Sequence, residues 1–172
     1  MNPIQEARTE YARGYYHDQL ETGLQFQDFV ARELCQRGIV IVGHASLRHQ
    51  LSHGENMLGA EIKRDGHFRE TGNLYIEVAE KAHPDNDVFV PSGIFRDDNS
   101  WLLIIGDEET LYIFSTKYLR SLVERRGWRR VEKPTSIGHL CPLADAERYC
   151  LRRIDITTPV AGSHPPLFNE RR

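Results

Sequence analysis

The sequence predicts a single α/β domain with a mixed, largely antiparallel central sheet flanked by helices. Its 172 residues fall within the ~100–200 that are typical of one domain. Hydrophobic residues make up 40% of the chain, which is enough for one core. The periodic segments follow the order helix, three strands, two further strands and two helices. That order favours an antiparallel-rich sheet over a doubly wound one.

The N-terminal part of the chain predicts an extension, a helix and a strand. Residues 1–20 are polar and favour a helical extension that contacts the domain through one face. Between Leu24 and Leu34 the apolar residues recur at helical spacing, and Gly38 is typical of a helix end. Residues 39–42 are all β-branched and lie between two glycines, which predicts a short buried strand.

The middle of the chain predicts two hairpins separated by a long loop. Residues 59–65 and 73–81 read as strands, and the connection between them begins and ends with glycine. Residues 82–100 are rich in Pro, Asn and Asp, which predicts a surface excursion. Residues 101–105 and 111–114 form the second predicted hairpin.

Two helices are expected in the C-terminal part. Ser115 is a good N-cap for a helix that runs to about Arg126, and Pro142 is suited to start a short helix through Leu151. The last residues contain several prolines, which favours a loose tail. The predicted division is an extension over residues 1–20, an α/β domain over residues 21–154 and a tail over residues 155–172.

Composition excludes several classes of protein. The formal net charge of −3 provides no overall attraction to phosphate, so any nucleic-acid contact must be local. No apolar run approaches the ~18–20 residues of a membrane span, and the N-terminus lacks a signal-peptide stretch. We therefore expect no membrane association and a cytoplasmic location. Cys35, Cys141 and Cys150 are too widely spaced for a CxxC zinc pattern.

Ionisable residues recur along the first predicted hairpin. Alternation along a strand places Glu61, Lys63 and Asp65 on one face, and it places Glu77 and Lys81 on one face of the next strand. If the loop is centred on Arg69, Glu61 lies opposite Glu77. Two opposed carboxylates destabilise a sheet, and a bound Mg²⁺ would offset their repulsion. Lys63 or Lys81 would then lie near enough to orient or deprotonate a water for phosphodiester hydrolysis.

The same alternation has a plainer interpretation. Charged and apolar residues also alternate along any half-exposed strand, and Glu–Lys pairs are common on solvated sheets. Composition alone does not decide between the two interpretations.

The pattern of segments and motifs resembles the PD-(D/E)XK phosphodiesterase superfamily, in particular its phage and prophage members. The resemblance covers about residues 24–125 and depends on residues 59–65 (GAEIKRD), 71–77 (TGNLYIE) and 92–94 (SGI). It implies a restriction endonuclease-like αβββ core, a Mg²⁺ or Mn²⁺ ion and DNA as the substrate. Many members act as dimers, so a homodimer is one expectation, although no stretch of the sequence marks an interface.

The resemblance assigns roles to individual residues. Glu77 is similar to the acidic residue of the (D/E)XK strand, but Ala79 stands where the family usually has lysine. Lys63 or Lys81 would supply the missing ammonium. The metal ligands implied are Glu77 together with Glu61 and Asp65; the assumed register favours Glu61 as the main upstream ligand and leaves Asp65 open. The additional acid that members often carry on the helix falls at Gln27 or Asp28.

A basic, aromatic-bearing block follows the second hairpin and could hold a DNA backbone, or it could be a solvated helix end. The block comprises Lys117, Arg120, Arg125, Arg126, Trp128, Arg129, Arg130 and Lys133.

The function predicted is Mg²⁺-dependent deoxyribonuclease activity. The alternative is a catalytically degenerate module of the same fold that binds DNA or a protein.

Overall fold

The computed structural model describes residues 21–43, 48, 52, 54 and 56–158. The extension predicted over residues 1–20 lies outside the described residues. The same is true of residues 159–172 of the predicted tail. Within the described ranges, no helix is long and apolar enough to cross a membrane.

The described part of the chain is a mixed α/β structure of four helices and eight strands. The helices are α1 over residues 21–36, α2 (Phe68–Thr71), α3 (Thr116–Arg125) and α4 (Leu143–Tyr149), and a 3-10 turn spans Gly93–Phe95. The strands are β1 (Ala60–Arg64), β2 (Asn73–Glu80), β3 (Val90–Pro91), β4 (Leu102–Gly106), β5 (Thr110–Ser115), β6 (Arg130–Glu132), β7 (Ser136–Pro142) and β8 (Arg152–Asp155).

The strands form two mostly antiparallel sheets. Sheet one has the order β1-β4-β5-β8, in which β1 runs parallel to β4 and the other pairs are antiparallel. Sheet two has the order β3-β2-β7-β6 and is antiparallel throughout. The α/β class with largely antiparallel pairing is therefore confirmed, whereas a restriction endonuclease-like core stays a prediction.

Sheet one lies in the middle of the structure because both of its faces are apolar. On one face Ile62 and Ile104 pack with Val30 and the rest of the α1 stripe. On the other face, Leu103 and Phe114 join a second cluster that includes residues of sheet two, α3 and α4. Alternation along each strand thus divides the side chains between two cores.

Three helices end or begin where local signals predict. The α1 segment is followed by Gly38, whose φ of 80° is the left-handed conformation that glycine adopts most readily. Ser115 caps α3 by accepting a hydrogen bond from the backbone N–H of Tyr118. Pro142 precedes α4, which ends at Tyr149, two residues before the predicted end.

The strand predicted over residues 39–42 is wrong. Residues 39–42 form no strand, and the adjacent pairing is an isolated bridge between Gly43 and Asn56. Ile39 and Ile41 pack against the α1 core, while Val40 is 63% exposed. The β-branched run is therefore explained by packing of alternate residues and not by pairing with a neighbouring strand.

The predicted hairpin between residues 59–65 and 73–81 is also wrong. Strand β1 pairs with β4, whereas β2 pairs with β7 and β3. The connection between β1 and β2 contains the short helix α2, whose Phe68 is buried in the core between the sheets. Because β1 and β2 belong to different sheets, Glu61 does not lie opposite Glu77.

Candidate functional site

Glu61 and Lys63 form an ion pair on the inner side of β1. Ala60 and Ile62 pack toward α1, so the alternation of the strand turns Glu61 and Lys63 toward the other face. The Nζ atom of Lys63 lies 3.3 Å from Oε1 of Glu61. The side chain of Glu61 is 2% exposed and that of Lys63 is 36% exposed. The pair therefore runs from the interior to the surface.

The surroundings of this pair are apolar. Glu61 is in register with Leu103 and Lys63 with Ile105, and both neighbours belong to the core between the sheets. Burying a carboxylate costs several kcal/mol, and a nearby cation offsets that cost only partly. A buried pair of this kind on a strand at the end of a sheet is a candidate for a functional role.

Asp65 has a structural role at the end of β1. Its Oδ1 accepts a hydrogen bond from the backbone N–H of His67 at 3.1 Å. Its Oδ2 accepts one from the backbone N–H of Tyr75 at 2.8 Å. Both oxygens thus fix the turn that carries the chain from β1 to β2. This use of both oxygens makes Asp65 a weaker candidate ligand than Glu61.

Glu77 lies on β2 in sheet two and has a different partner. Its Oε1 accepts a hydrogen bond at 2.8 Å from the hydroxyl of Ser92, which is fully buried. Gly93 follows with a φ of 52°, and a side chain there would collide with the carbonyl oxygen of Glu77. The SGI segment that the resemblance used is therefore packed tightly against Glu77, and sequence reasoning had assigned Ser92 no role.

Lys81 is held by the loop that follows β2. Its ammonium donates to the carbonyl oxygens of Pro84 and Asn86 at 2.7 and 2.8 Å. It also lies 4.8 Å from the centre of the Phe89 ring. Of the two lysines that sequence reasoning left open, Lys63 is the one that contacts a predicted metal ligand.

The predicted site residues are therefore brought together only in part. Within the described residues, no group of three or more His, Cys, Asp or Glu side chains lies close enough to hold a metal ion. Gln27 and Asp28 lie on α1, which packs on the face of sheet one opposite Glu61. The three-carboxylate site stays a prediction, and the Glu61–Lys63 pair is the part of it with geometric support.

Tyr75 occupies the face of β2 that also carries Glu77. Burial raises the pKa of the Tyr75 phenol, its hydrogen bond with Ser136 opposes this effect, and the nearby Glu77 carboxylate adds to it. Lys133 lies over the ring, with Nζ 3.7 Å from its centre. The phenol consequently stays protonated at neutral pH and is a hydrogen-bonding group, not a base.

Three residues of the basic block, Arg126, Trp128 and Arg129, line an open cleft of about 570 Å³. Its best-defined contacts are internal. Trp128 Nε1 donates to Oδ2 of Asp145 at 2.7 Å, and Arg126 pairs with the other oxygen at 3.1 Å. Arg130 pairs with Glu132 at 3.1 Å. These contacts neutralise part of the block, so its role as a DNA contact stays a prediction.

Comparison with known proteins identifies no relative. No protein-family profile, curated protein or solved structure matches the chain.

Proposed function

We propose that this protein is a metal-dependent phosphodiesterase that acts on DNA, with Glu61 and Lys63 at its centre. One observation carries the proposal: the buried Glu61 carboxylate and the Lys63 ammonium lie 3.3 Å apart, on residues separated by one position in β1, an edge strand of sheet one. This is the acidic-x-Lys spacing of the PD-(D/E)XK superfamily. It stands on β1 and not on β2, where Ala79 replaces the expected lysine.

Carboxylate oxygens suit a hard divalent cation in chemistry, and within the described residues no three of them lie close enough together to hold one. Mg²⁺ takes one or two protein carboxylates and completes its shell with waters and substrate phosphate oxygens. Glu61 is the primary ligand in this proposal. Glu77 is kept as a second ligand from the sequence prediction alone, since it lies on the face of β2 opposite Leu74 and Ile76. Asp65 is the third and weakest, because its oxygens hold two backbone N–H groups. When bound, such an ion polarises the phosphate and lowers the pKa of a water.

Lys63 has two roles in the proposed mechanism. Its ammonium lies 3.3 Å from Oε1 of Glu61 and so places an opposite charge beside the buried carboxylate. Because Lys63 is 36% exposed, it also carries positive charge to the surface, where a phosphodiester would approach. A cation placed there stabilises the negative charge that develops on the phosphate as water attacks.

The test is cleavage of plasmid, linear, single-stranded and branched DNA with Mg²⁺ or Mn²⁺. Glu61→Gln removes the charge and keeps the shape, so we expect cleavage to fall by at least about 100-fold. Glu108→Gln is the matched control, since it removes an exposed carboxylate that pairs with the same strand at Arg64. Unchanged turnover in a folded Glu61→Gln protein would contradict the proposal.

A second candidate is a degenerate module of this fold that binds DNA without cutting it. Two observations favour it: Ala79 stands in place of the usual lysine, and Asp65 and Glu77 have partners within the protein. This candidate predicts DNA retention in a mobility-shift assay without cleavage. It also predicts that Mn²⁺ does not raise the melting temperature, whereas the proposed nuclease is stabilised by the ion.

A further inference from the structure

Trp101 is an exposed aromatic residue close to the candidate site. It immediately precedes β4 and is 57% exposed. It lies two residues before Leu103, which is the register partner of Glu61. Two residues of strand span about 7 Å, so the backbone of Trp101 lies about one nucleotide's length along the strand from the register partner of Glu61.

The backbone holds this residue firmly. Trp101 N–H donates to the carbonyl of Gly59 at 2.7 Å, and its own carbonyl accepts from Thr116 N–H at 3.0 Å. The indole lies against Gly59, where an added Cβ would come within 2.7 Å of Cδ1. Gly59 has a φ of 62°, a conformation that disfavours any other residue. The exposed ring is thus seated on a position that only glycine fits.

The other tryptophan of the chain shows the usual arrangement. Trp128 is 7% exposed, and its indole N–H is bonded to Asp145. Trp101 instead presents a large apolar ring to solvent, where it is accessible to a stacking partner. Lys117 is also exposed, and it directly follows Thr116, whose backbone N–H bonds the Trp101 carbonyl. An aromatic platform next to a cation is what single-stranded nucleic acid binds.

We propose that Trp101 stacks on an unpaired DNA base and so positions the neighbouring phosphodiester at Glu61 and Lys63. The positioning step rests on the proposed function, whereas the stacking does not. Stacking on an aromatic ring is tolerant of sequence because every base has a π-face. The proposal therefore specifies single-stranded or frayed DNA as the substrate class, with little preference among bases.

The experiment measures binding without cleavage. Oligothymidylate is titrated into the full chain in EDTA, with Trp128→Phe as the background so that Trp101 is the only tryptophan. We expect quenching of the Trp101 fluorescence. Trp101→Leu, measured by anisotropy of a labelled oligonucleotide, should weaken binding by roughly 5- to 150-fold, the equivalent of one lost stack. Trp101→Phe keeps a ring and should retain most of the affinity.

Two outcomes would overturn the stacking. One is equal affinity for oligothymidylate and for an abasic strand of the same length. The other is equal affinity of the Trp101→Leu and parent proteins, which would leave the exposed ring to a protein partner. The cleavage assay keeps the two proposals apart. Loss of stacking affinity in a protein that never cuts DNA contradicts the nuclease alone, while cutting with Trp101-independent binding contradicts the stacking alone.

Discussion

Two groups of charged residues include members of strand β1, and they differ in the parts of the structure that they connect. Glu61 and Lys63 lie on its inner side, with the carboxylate almost fully buried. At the end of the strand, Arg64 pairs with Glu108 at 2.8 Å, and Asp107 lies in the same turn of the β4–β5 hairpin. The side chains of Arg64 and Glu108 are 40% and 51% exposed.

In the β4–β5 turn, a charged side chain binds backbone N–H groups. Oδ1 of Asp107 accepts hydrogen bonds from the N–H groups of Glu109 and Thr110 at 2.9 and 2.8 Å. Arg69, on α2, donates to Asp107 at 2.6 Å and so ties the helix to the hairpin. Every one of these contacts closes a turn or joins two elements, and the fold explains them completely.

The inner ion pair between Glu61 and Lys63 differs from the turn contacts, because it joins two residues of the same strand. Glu61 and Lys63 lie within one regular strand, which β1–β4 pairing already holds in place. Replacing a buried ion pair by apolar residues of similar volume is often neutral or stabilising. A buried ion pair within one strand is therefore a candidate for chemistry, and this contrast adds to the 3.3 Å contact on which the proposed function depends.

The largest expected effect on stability comes from leaving one member of the inner pair alone. Lys63→Met removes the ammonium and keeps the aliphatic volume, so the buried Glu61 carboxylate loses the positive charge that lies 3.3 Å from it. A fully buried pair broken in this way loses ~3–5 kcal/mol. Because Lys63 is 36% exposed, we expect about 2–3 kcal/mol, measured as the free energy of unfolding in urea.

The double variant Glu61→Leu with Lys63→Met sharpens the comparison. It removes both charges, so the free energy of unfolding should return to that of the parent protein or exceed it. DNA cleavage should be lost in this variant. A double variant that is as unstable as Lys63→Met would show that the pair holds the fold together, and the contrast with the turn would be lost.

Sequence reasoning succeeded where the signal was local. Ser115 predicted the start of α3, and alternation placed Glu61 and Lys63 on one face of a strand. A cap or a period of two depends on neighbours within a few residues, so it can be recognised without knowing the rest of the fold.

It failed where partners are distant in the chain. Strands β1 and β2 are close in sequence and look like a hairpin, yet their partners are β4 and β7. Strands β6 and β7 were not predicted, since Gly138 and His139 interrupt an apolar alternation in the latter. Lys81 was a reasonable candidate from its spacing, but only the folded loop shows that carbonyl groups bind it.

A smaller loss is expected in the turn. Asp107→Ala deletes the acceptor for two backbone N–H groups and for Arg69. Turn donors left without a partner are reached by water, so we expect about 1–2 kcal/mol, read as a lower midpoint in urea. DNA cleavage should be unaffected at temperatures where the variant is folded.

The pH dependence provides a check on this effect. Partial burial raises the pKa of Asp107, but the Arg69 guanidinium and the two backbone donors outweigh it and hold the pKa below its ordinary value of 3.8. The stabilisation is thus complete above pH 3.8 and is lost as the pH falls through the lower folded value. Asp107→Ala should therefore match the parent at the acid end. A constant difference across that range would contradict the assignment.

The smallest effect is expected for the exposed pair. The Arg64 guanidinium lowers the pKa of Glu108 through a direct hydrogen bond, but both side chains are about half exposed to water. Pairs of this kind contribute ~0–1 kcal/mol, and less in salt. Glu108→Gln should change the unfolding free energy by no more than about 0.5 kcal/mol and leave cleavage intact. A large loss of cleavage would mean that an exposed charge next to β1 affects cleavage as strongly as the buried pair does. The assignment of cleavage to Glu61 and Lys63 would then be contradicted.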